Sequence, residues 1–208
     1  SNGPFELRPE MKQLVENFYK ICKENNVSPL NESGLKPEEY YNATKRFIDV
    51  QVEGNRAFRK NVTAQPLPAA KYGEGNLALL TNGVKGANDY KAHWLGWEAK
   101  DFTLTLDLGS ETDAKDISIS TLYDPKSWIL HPASITCLVS ADGKKFLEIG
   151  KLTVTGDQRN EEVTRDFHYT NRTGKIRFVK FNVAGTKVLP AWHPSAGGDS
   201  WVFVDEIV

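Results

Sequence analysis

The spacing of apolar residues changes along this chain, and the change divides it into two parts. Over residues 9–26, apolar side chains such as Leu14, Phe18 and Ile21 recur at helical spacing, which predicts an amphipathic helix. A second helix is predicted from about Pro37 to Val52. Each apolar face needs a packing partner, so we expect residues 1–55 to be a helical segment without a core of its own.

From about residue 55 the period shortens to two, which is typical of strands. Residues 101–109 (DFTLTLDLG) alternate strictly between apolar and polar, and similar runs follow, with turn signals such as Asp142-Gly143 between them. This pattern predicts an antiparallel β-sandwich over residues 56–208. The predicted fold class is therefore mainly β, with a short two-helix segment before the sandwich.

The order of the strands predicts which loops lie together. If successive strands alternate in direction, the loops at 123–132 and 184–200 lie at the end of the sandwich where strand 102–108 begins; we call this end A. The segment 88–97, directly before that strand, is expected there too. Binding residues usually lie on loops held by a rigid scaffold, so end A is the predicted site.

Charge and composition narrow the classes of partner. The chain has 208 residues and a formal net charge of -1, without the basic excess of proteins that bind nucleic acid or membrane surfaces. It has no apolar run long enough to insert into a membrane. Cys22 and Cys137 occupy inward-facing positions and are interpreted as buried thiols, while a disulfide between them remains an open alternative. The two ends favour a piece of a longer protein.

Four stretches in order carry a family resemblance. Residues 79–109, 127–146, 175–183 and 189–207 resemble the discoidin, or coagulation factor 5/8 type C, domains, and more narrowly the family 32 carbohydrate-binding modules of bacterial glycoside hydrolases. The resemblance implies a galactose-binding-like jelly roll of roughly eight strands. It also implies a sugar site on loops at one end, a structural calcium ion in many members, and no catalysis within the domain. Residues 1–55 resemble the tail of a preceding catalytic domain.

The loop PAWHPSAGGDSW at 190–201 supplies the first candidates for a sugar site. A flat indole at Trp192 suits the C–H face of a sugar, and the imidazole of His193 suits its hydroxyls. The alternative is that Trp192 packs back onto the sandwich and His193 caps a turn. The other end A loops add four candidates, whereas the remaining tryptophans are expected to pack inside; the added candidates are Tyr90, His93, Tyr123 and Asp124.

The resemblance also implies a set of calcium ligands. These are the side chains of Asn82 and Glu206, with the backbone carbonyls of Leu80 and Gly86. Asn82 stands where the family usually has aspartate, and the lost charge weakens the expected site. The alternative is that Asn82-Gly83 is simply a tight turn.

No constellation in the sequence favours catalysis. Asp205 and Glu206 are adjacent on a predicted strand, so they are expected to face opposite sides and not to form an acid/base pair. The sequence therefore predicts a non-catalytic carbohydrate-binding module of a bacterial glycan-degrading enzyme that is secreted, periplasmic or on the outer cell surface. Its expected partners are a glycan and an upstream catalytic domain of the same chain. The alternative is a structural accessory domain that packs on its parent catalytic domain and binds no glycan.

Overall fold

The computed structural model describes residues 10–27, 36–39, 41, 55–86, 88–91 and 93–208. The chain divides into two compact units, Ser1–Glu53 and Gly54–Val208. In the first unit, helix α1 spans Glu10–Glu24, as the apolar spacing predicts, and buries Val15 and Cys22. Of the second predicted helix, residues 37–39 and 41 are helical and the rest lies outside the described residues. None of the described helices has the length and apolar character that crossing a membrane requires.

The second unit is a sandwich of two antiparallel sheets. The five-stranded sheet has the order β1-β3-β8-β5-β6, and the four-stranded sheet has the order β2-β9-β4-β7. This confirms the predicted fold class, a mainly β antiparallel jelly roll preceded by a helical segment. The strands are β1 Asn61–Gln65, β2 Leu95–Glu98, β3 Phe102–Thr112, β4 Asp116–Leu122, β5 Ser134–Ser140, β6 Leu147–Thr153, β7 Thr164–Thr170, β8 Ile176–Ala184 and β9 Trp201–Ile207.

The main core lies between the two sheets. Strand β3 buries every second side chain, from Phe102 to Leu108, against inward-facing residues of β9 such as Val202 and Val204. Removing these apolar surfaces from water is the dominant stabilising term. A second apolar cluster covers the outer face of the four-stranded sheet; it contains Trp94, Leu122, Ile129, Trp201 and Phe203, with Ala69, Tyr72 and Tyr90 packed against it.

Two predictions about buried residues are confirmed. Trp94, Trp97 and Trp201 pack inside, and the Trp97 ring stacks on Phe102 at 4.0 Å between ring centroids. Cys22 and Cys137 are both buried free thiols.

The strand pairings also confirm the direction argument for two of the three loops. Strand β3 is antiparallel to β8, β8 to β5, and β4 to both β7 and β9. The loops between β4 and β5 and between β8 and β9 therefore leave from the end where β3 begins. The loop between β6 and β7, residues 154–163, leaves from the same end.

Candidate functional site

Three loops meet at end A of the sandwich. Nε2 of His193 lies 2.7 Å from the carbonyl oxygen of Pro125, and the indole N–H of Trp128 lies 3.3 Å from Oγ of Ser195. The Trp192 indole donates to the carbonyl of Asp157. Loops 123–133, 154–163 and 185–200 thus form one continuous surface. Of these three, only 154–163 was missed by the sequence analysis.

His193 holds this surface in shape and does not offer its ring to a ligand. The side chain is buried. Its Nδ1 accepts a hydrogen bond from the backbone N–H of Ser195 at 2.9 Å, so Nε2 carries the proton that is donated to Pro125. Because both ring nitrogens are occupied, the expected hydrogen bond from His193 to a sugar hydroxyl is replaced by a turn-capping role, the alternative raised above.

Trp192, Tyr123 and Asp124 lie close to His193, but most of their polar groups are used within the protein. Trp192 is half-buried against Tyr123. The Tyr123 hydroxyl donates to the backbone carbonyl of Gln158 at 2.7 Å, and burial raises the pKa of this phenol. Asp124 accepts a 2.6 Å hydrogen bond from the hydroxyl of Ser127. These three residues therefore build the framework of end A.

Tyr90 and His93 lie elsewhere, which corrects the prediction for segment 88–97. Tyr90 packs on the outer face of the four-stranded sheet, with its ring centroid 6.2 Å from that of Phe203. His93 is exposed and has a φ of 66°. The physical reason is an unpredicted strand: β2 runs toward end A and pairs with β9, so the residues before it lie at its other end.

The position of Trp128 also differs from the prediction. It is predicted to pack inside, but its side chain is 49% exposed, while the next two residues, Ile129 and Leu130, are buried in clusters outside the main core. Its backbone is in the left-handed region (φ 62°), at the end of the turn Pro125–Ser127. The backbone N–H of Trp128 donates to Pro125 and its carbonyl accepts from Trp201, so the exposed indole stands on a fixed backbone.

Asp205 and Glu206 do not point to opposite faces, which corrects a second prediction. Ile119 and Ser120 are adjacent in β4, but their partners in β9, Ile207 and Asp205, are two residues apart. Glu206 is the extra residue of this β-bulge, and a bulge breaks the alternation of side chains. Both carboxyl groups are buried and accept amide hydrogens from one segment, Glu206 from Gly83 and Asp205 from Gly86.

The environment of Glu206 disfavours its charge. Burial, followed by repulsion from Asp205, raises the pKa of Glu206 to about 9. Its Oε2 atom is buried without a hydrogen bond of normal geometry among the described residues. A positive ion next to Glu206 would lower the free-energy cost of ionising Glu206 beside Asp205.

The segment that carries the predicted calcium ligands Leu80, Asn82 and Gly86 contacts Glu206 and Asp205 at this place. Glu206 contacts the segment that follows Asn82, and Leu80 is buried just before it. The Asn82 side-chain oxygen accepts a hydrogen bond from the N–H of Val84 at 2.7 Å, as in the tight-turn alternative. That oxygen has a second lone pair, so the turn and a metal bond are compatible. The described residues contain no group of three or more His, Cys, Asp and Glu side chains suited to a metal, so backbone carbonyls would have to complete the shell.

Solved structures with a similar fold were found, all at low sequence identity to this chain. No protein-family model matches the chain, and no curated protein sequence matches it. Among solved structures, chitosan-binding module 1 of a chitosanase/glucanase from Paenibacillus sp. IK-5 is 16% identical, with a TM-score of 0.47, over 74% of this chain and 97% of that one. The lectin domain of lectinolysin, complexed with Lewis B antigen, is 15% identical, with a TM-score of 0.47, over 75% and 96%. CpGH89CBM32-4 of Clostridium perfringens, in complex with GlcNAc-α-1,4-galactose, is 12% identical, with a TM-score of 0.44, over 76% and 95%. These values are too low to assign a function.

Proposed function

We propose that this chain is a non-catalytic carbohydrate-binding module whose end A surface binds a glycan, with Trp128 as the aromatic platform. The observation that carries the proposal is the exposed indole of Trp128 on a backbone fixed by two hydrogen bonds. A flat ring of this kind covers the C–H face of a sugar. Because the ring is already positioned, little conformational entropy is lost on binding.

Two polar contacts hold the platform in place. His193 binds the carbonyl of Pro125, and Ser195, two residues further along the same loop, accepts from the indole of Trp128. The two loops are therefore tied together at both ends of the 125–128 turn. In this proposal His193 positions the platform through the loop and does not touch the sugar.

Titration against a panel of mono- and oligosaccharides tests the site. Trp128→Ala is expected to weaken glycan affinity at least tenfold, with only a small change in melting temperature, because about half of the lost side chain is exposed and it fills no core position. Leu147→Ala is the matched control: it removes another exposed apolar side chain at the opposite end of the sandwich, and affinity should stay within twofold.

Two outcomes would contradict the proposal. Binding that survives Trp128→Ala unchanged would place the sugar elsewhere. Failure of every glycan in the panel to bind would favour the accessory-domain alternative, in which the sandwich packs on a parent catalytic domain.

The proposal includes a structural calcium ion, held by Glu206 and Asp205 with backbone carbonyls near Leu80 and Gly86 and with Asn82. A bound Ca²⁺ would neutralise the two buried carboxylates and tie the 80–86 segment to β9. Millimolar Ca²⁺ should therefore raise the melting temperature by several degrees relative to chelator, and Glu206→Gln should abolish the difference. Equal melting temperatures of the unsubstituted protein in Ca²⁺ and in chelator would exclude the ion.

The wider setting is proposed from the sequence resemblance alone. It is a bacterial glycan-degrading enzyme, secreted, periplasmic or on the outer cell surface, with a catalytic domain upstream of this module. In that setting weak binding is sufficient, because tethering the enzyme to its substrate multiplies the effective concentration.

A further inference from the structure

A row of polar side chains crosses the outer face of the five-stranded sheet. The strand registers place Gln65 of β1 opposite Thr103 of β3, and Thr103 opposite Asn182 of β8. Asn182 in turn lies opposite Thr136 of β5, and Thr136 opposite Lys151 of β6. Each of the five strands contributes one member, so the row runs perpendicular to the strands and extends for roughly 19 Å at normal strand spacing.

The row forms the floor of a shallow open cavity. All five of its members line a concave region of about 330 Å³, together with residues at its end A margin such as Asp101 and Ser134.

Most of the hydrogen-bonding capacity of the row is unused. Thr103 donates to the side-chain oxygen of Asn182 at 3.0 Å, which leaves the Asn182 amide hydrogens available. The side chains of Gln65, Thr136 and Lys151 make no hydrogen bond or ion pair with the residues that the structure describes. Hydroxyl and amide groups both donate and accept, as a hydroxyl-rich ligand requires.

The polar residues on either side of the row behave differently. Toward end A, Asp101 is paired with Lys187 at 2.7 Å. Toward the other end, Arg177 makes two hydrogen bonds to Asp107, at 2.8 and 2.9 Å. A polar outer face is the ordinary condition of an antiparallel sheet. The row itself is mostly uncharged and has unused polar groups, and Lys180, two residues from Asn182 on the same face of β8, separates it from the Arg177–Asp107 pair.

We propose that this row is a second glycan-binding surface, on which an oligosaccharide lies across the strands. The ligand is a largely neutral chain, because Lys151 is the one charged member of the row. The row contains no aromatic ring, so binding depends on hydrogen bonds and is weak, with extended chains favoured over single sugars. This surface stands on different residues from the end A site and does not depend on it.

The test uses the full chain, labelled with ¹⁵N and titrated separately with cellohexaose, chitohexaose and maltohexaose. The side-chain amide signals of Gln65 and Asn182 report on the row, and the indole N–H signal of Trp128 reports on end A. We expect at least one hexasaccharide to shift both amide signals in a saturable way. The double variant Gln65→Ala/Asn182→Ala should weaken this binding at least tenfold, as followed by the backbone amide signals of Thr103 and Thr136.

Two controls separate the two surfaces. Asn61→Ala removes an exposed amide from the same face of β1, outside the row, and should leave affinity within twofold. Trp128→Ala should abolish sugar binding at end A and leave the shifts of the row intact. If none of the three hexasaccharides moves the Gln65 and Asn182 amide signals, the proposal is wrong, whatever happens at Trp128.

Discussion

The outer faces of the two sheets differ in their exposure to solvent. On the five-stranded sheet, the outward residues of β3, such as Thr103 and Thr105, are polar and partly open to solvent. On the four-stranded sheet, every residue of β9 is buried. At β9 the four-stranded sheet is therefore packed on both faces, although His168 and Thr170 of its edge strand β7 are exposed, whereas β3 is packed on one face only.

The difference arises from what lies over each sheet. Tyr72 packs its ring against Phe203 and Trp201, with centroids at 4.7 and 5.2 Å, and so covers the outward residues of β9. On the five-stranded sheet many of the outward positions are polar, such as Thr103, Thr105 and Asn182, and water can solvate them. A covered face can enclose carboxyl groups, as at Asp205 and Glu206, whereas an open face can present polar groups to a ligand.

The largest expected effect comes from removing an aromatic ring from each face. Phe203→Ala should reduce the free energy of unfolding by about 3–5 kcal/mol, because a fully buried ring is lost and a cavity remains. Phe178→Ala is the matched change on the open face, where the ring is only half-buried, and should cost about 1 kcal/mol. Urea denaturation measures both values. Equal losses would mean that the two faces do not differ as described.

The second effect concerns pH and the covered carboxyl groups. The pKa of Glu206 is raised from 4.5 to about 9 in the folded protein by burial and by Asp205. Between these two values the folded state keeps a proton that the unfolded state has lost, so stability must fall as pH rises. The contribution of Glu206 to the slope is about 1.4 kcal/mol per pH unit in the presence of a chelator.

Glu206→Gln provides the comparison for this slope, because the amide keeps the shape and cannot ionise. Denaturation at pH 6, 7 and 8 in chelator should show a clearly smaller loss in this variant than in the unsubstituted protein. A loss of stability with pH that is identical in the two proteins would show that Glu206 does not titrate over this range.

The same contrast explains how far the sequence could predict the fold. A sheet with one open face leaves an alternating pattern, so β3 was visible in DFTLTLDLG. A strand buried on both faces leaves no alternation, and the four-residue β2, Leu95–Glu98, was missed for this reason. Because β2 was missed, Tyr90 was assigned to the end A loops, whereas it packs on the outer face of the four-stranded sheet.

The errors at the candidate sites have equally local causes. Trp128 turns outward because its left-handed backbone ends the turn Pro125–Ser127, and nothing in the residue type indicates that conformation. The shared environment of Asp205 and Glu206 depends on a single extra residue in β9, which is set by pairing with β4. The alternation of strand direction, by contrast, can be followed by counting strands. It correctly predicted that the loops at 123–132 and 184–200 lie at the same end of the sandwich.

The smallest effect compares one ion pair from each face. On the four-stranded sheet, Nζ of Lys85 lies 2.5 Å from Oδ2 of Asp166. On the open face of the five-stranded sheet, Nε of Arg177 lies 2.8 Å from Oδ1 of Asp107. Although burial alone would raise the pKa of Asp166, hydrogen bonds from Lys85 and Ser120 hold it below its usual value. Lys85→Met leaves this carboxylate poorly paired and should cost roughly 1–2 kcal/mol. Arg177→Met should cost less than about 1 kcal/mol, because solvent screens the exposed pair.

The salt dependence of stability provides a further test of these two ion pairs. Raising the NaCl concentration should erase most of the difference between Arg177→Met and the unsubstituted protein, because an exposed pair is screened by ions. The Lys85→Met difference should persist, since ions do not reach a pair that is largely enclosed. The alternative result is that the two variants lose stability equally and respond to salt in the same way. The greater burial of the Lys85–Asp166 pair would then have no effect on its electrostatics. The contrast between the two faces would be one of packing alone.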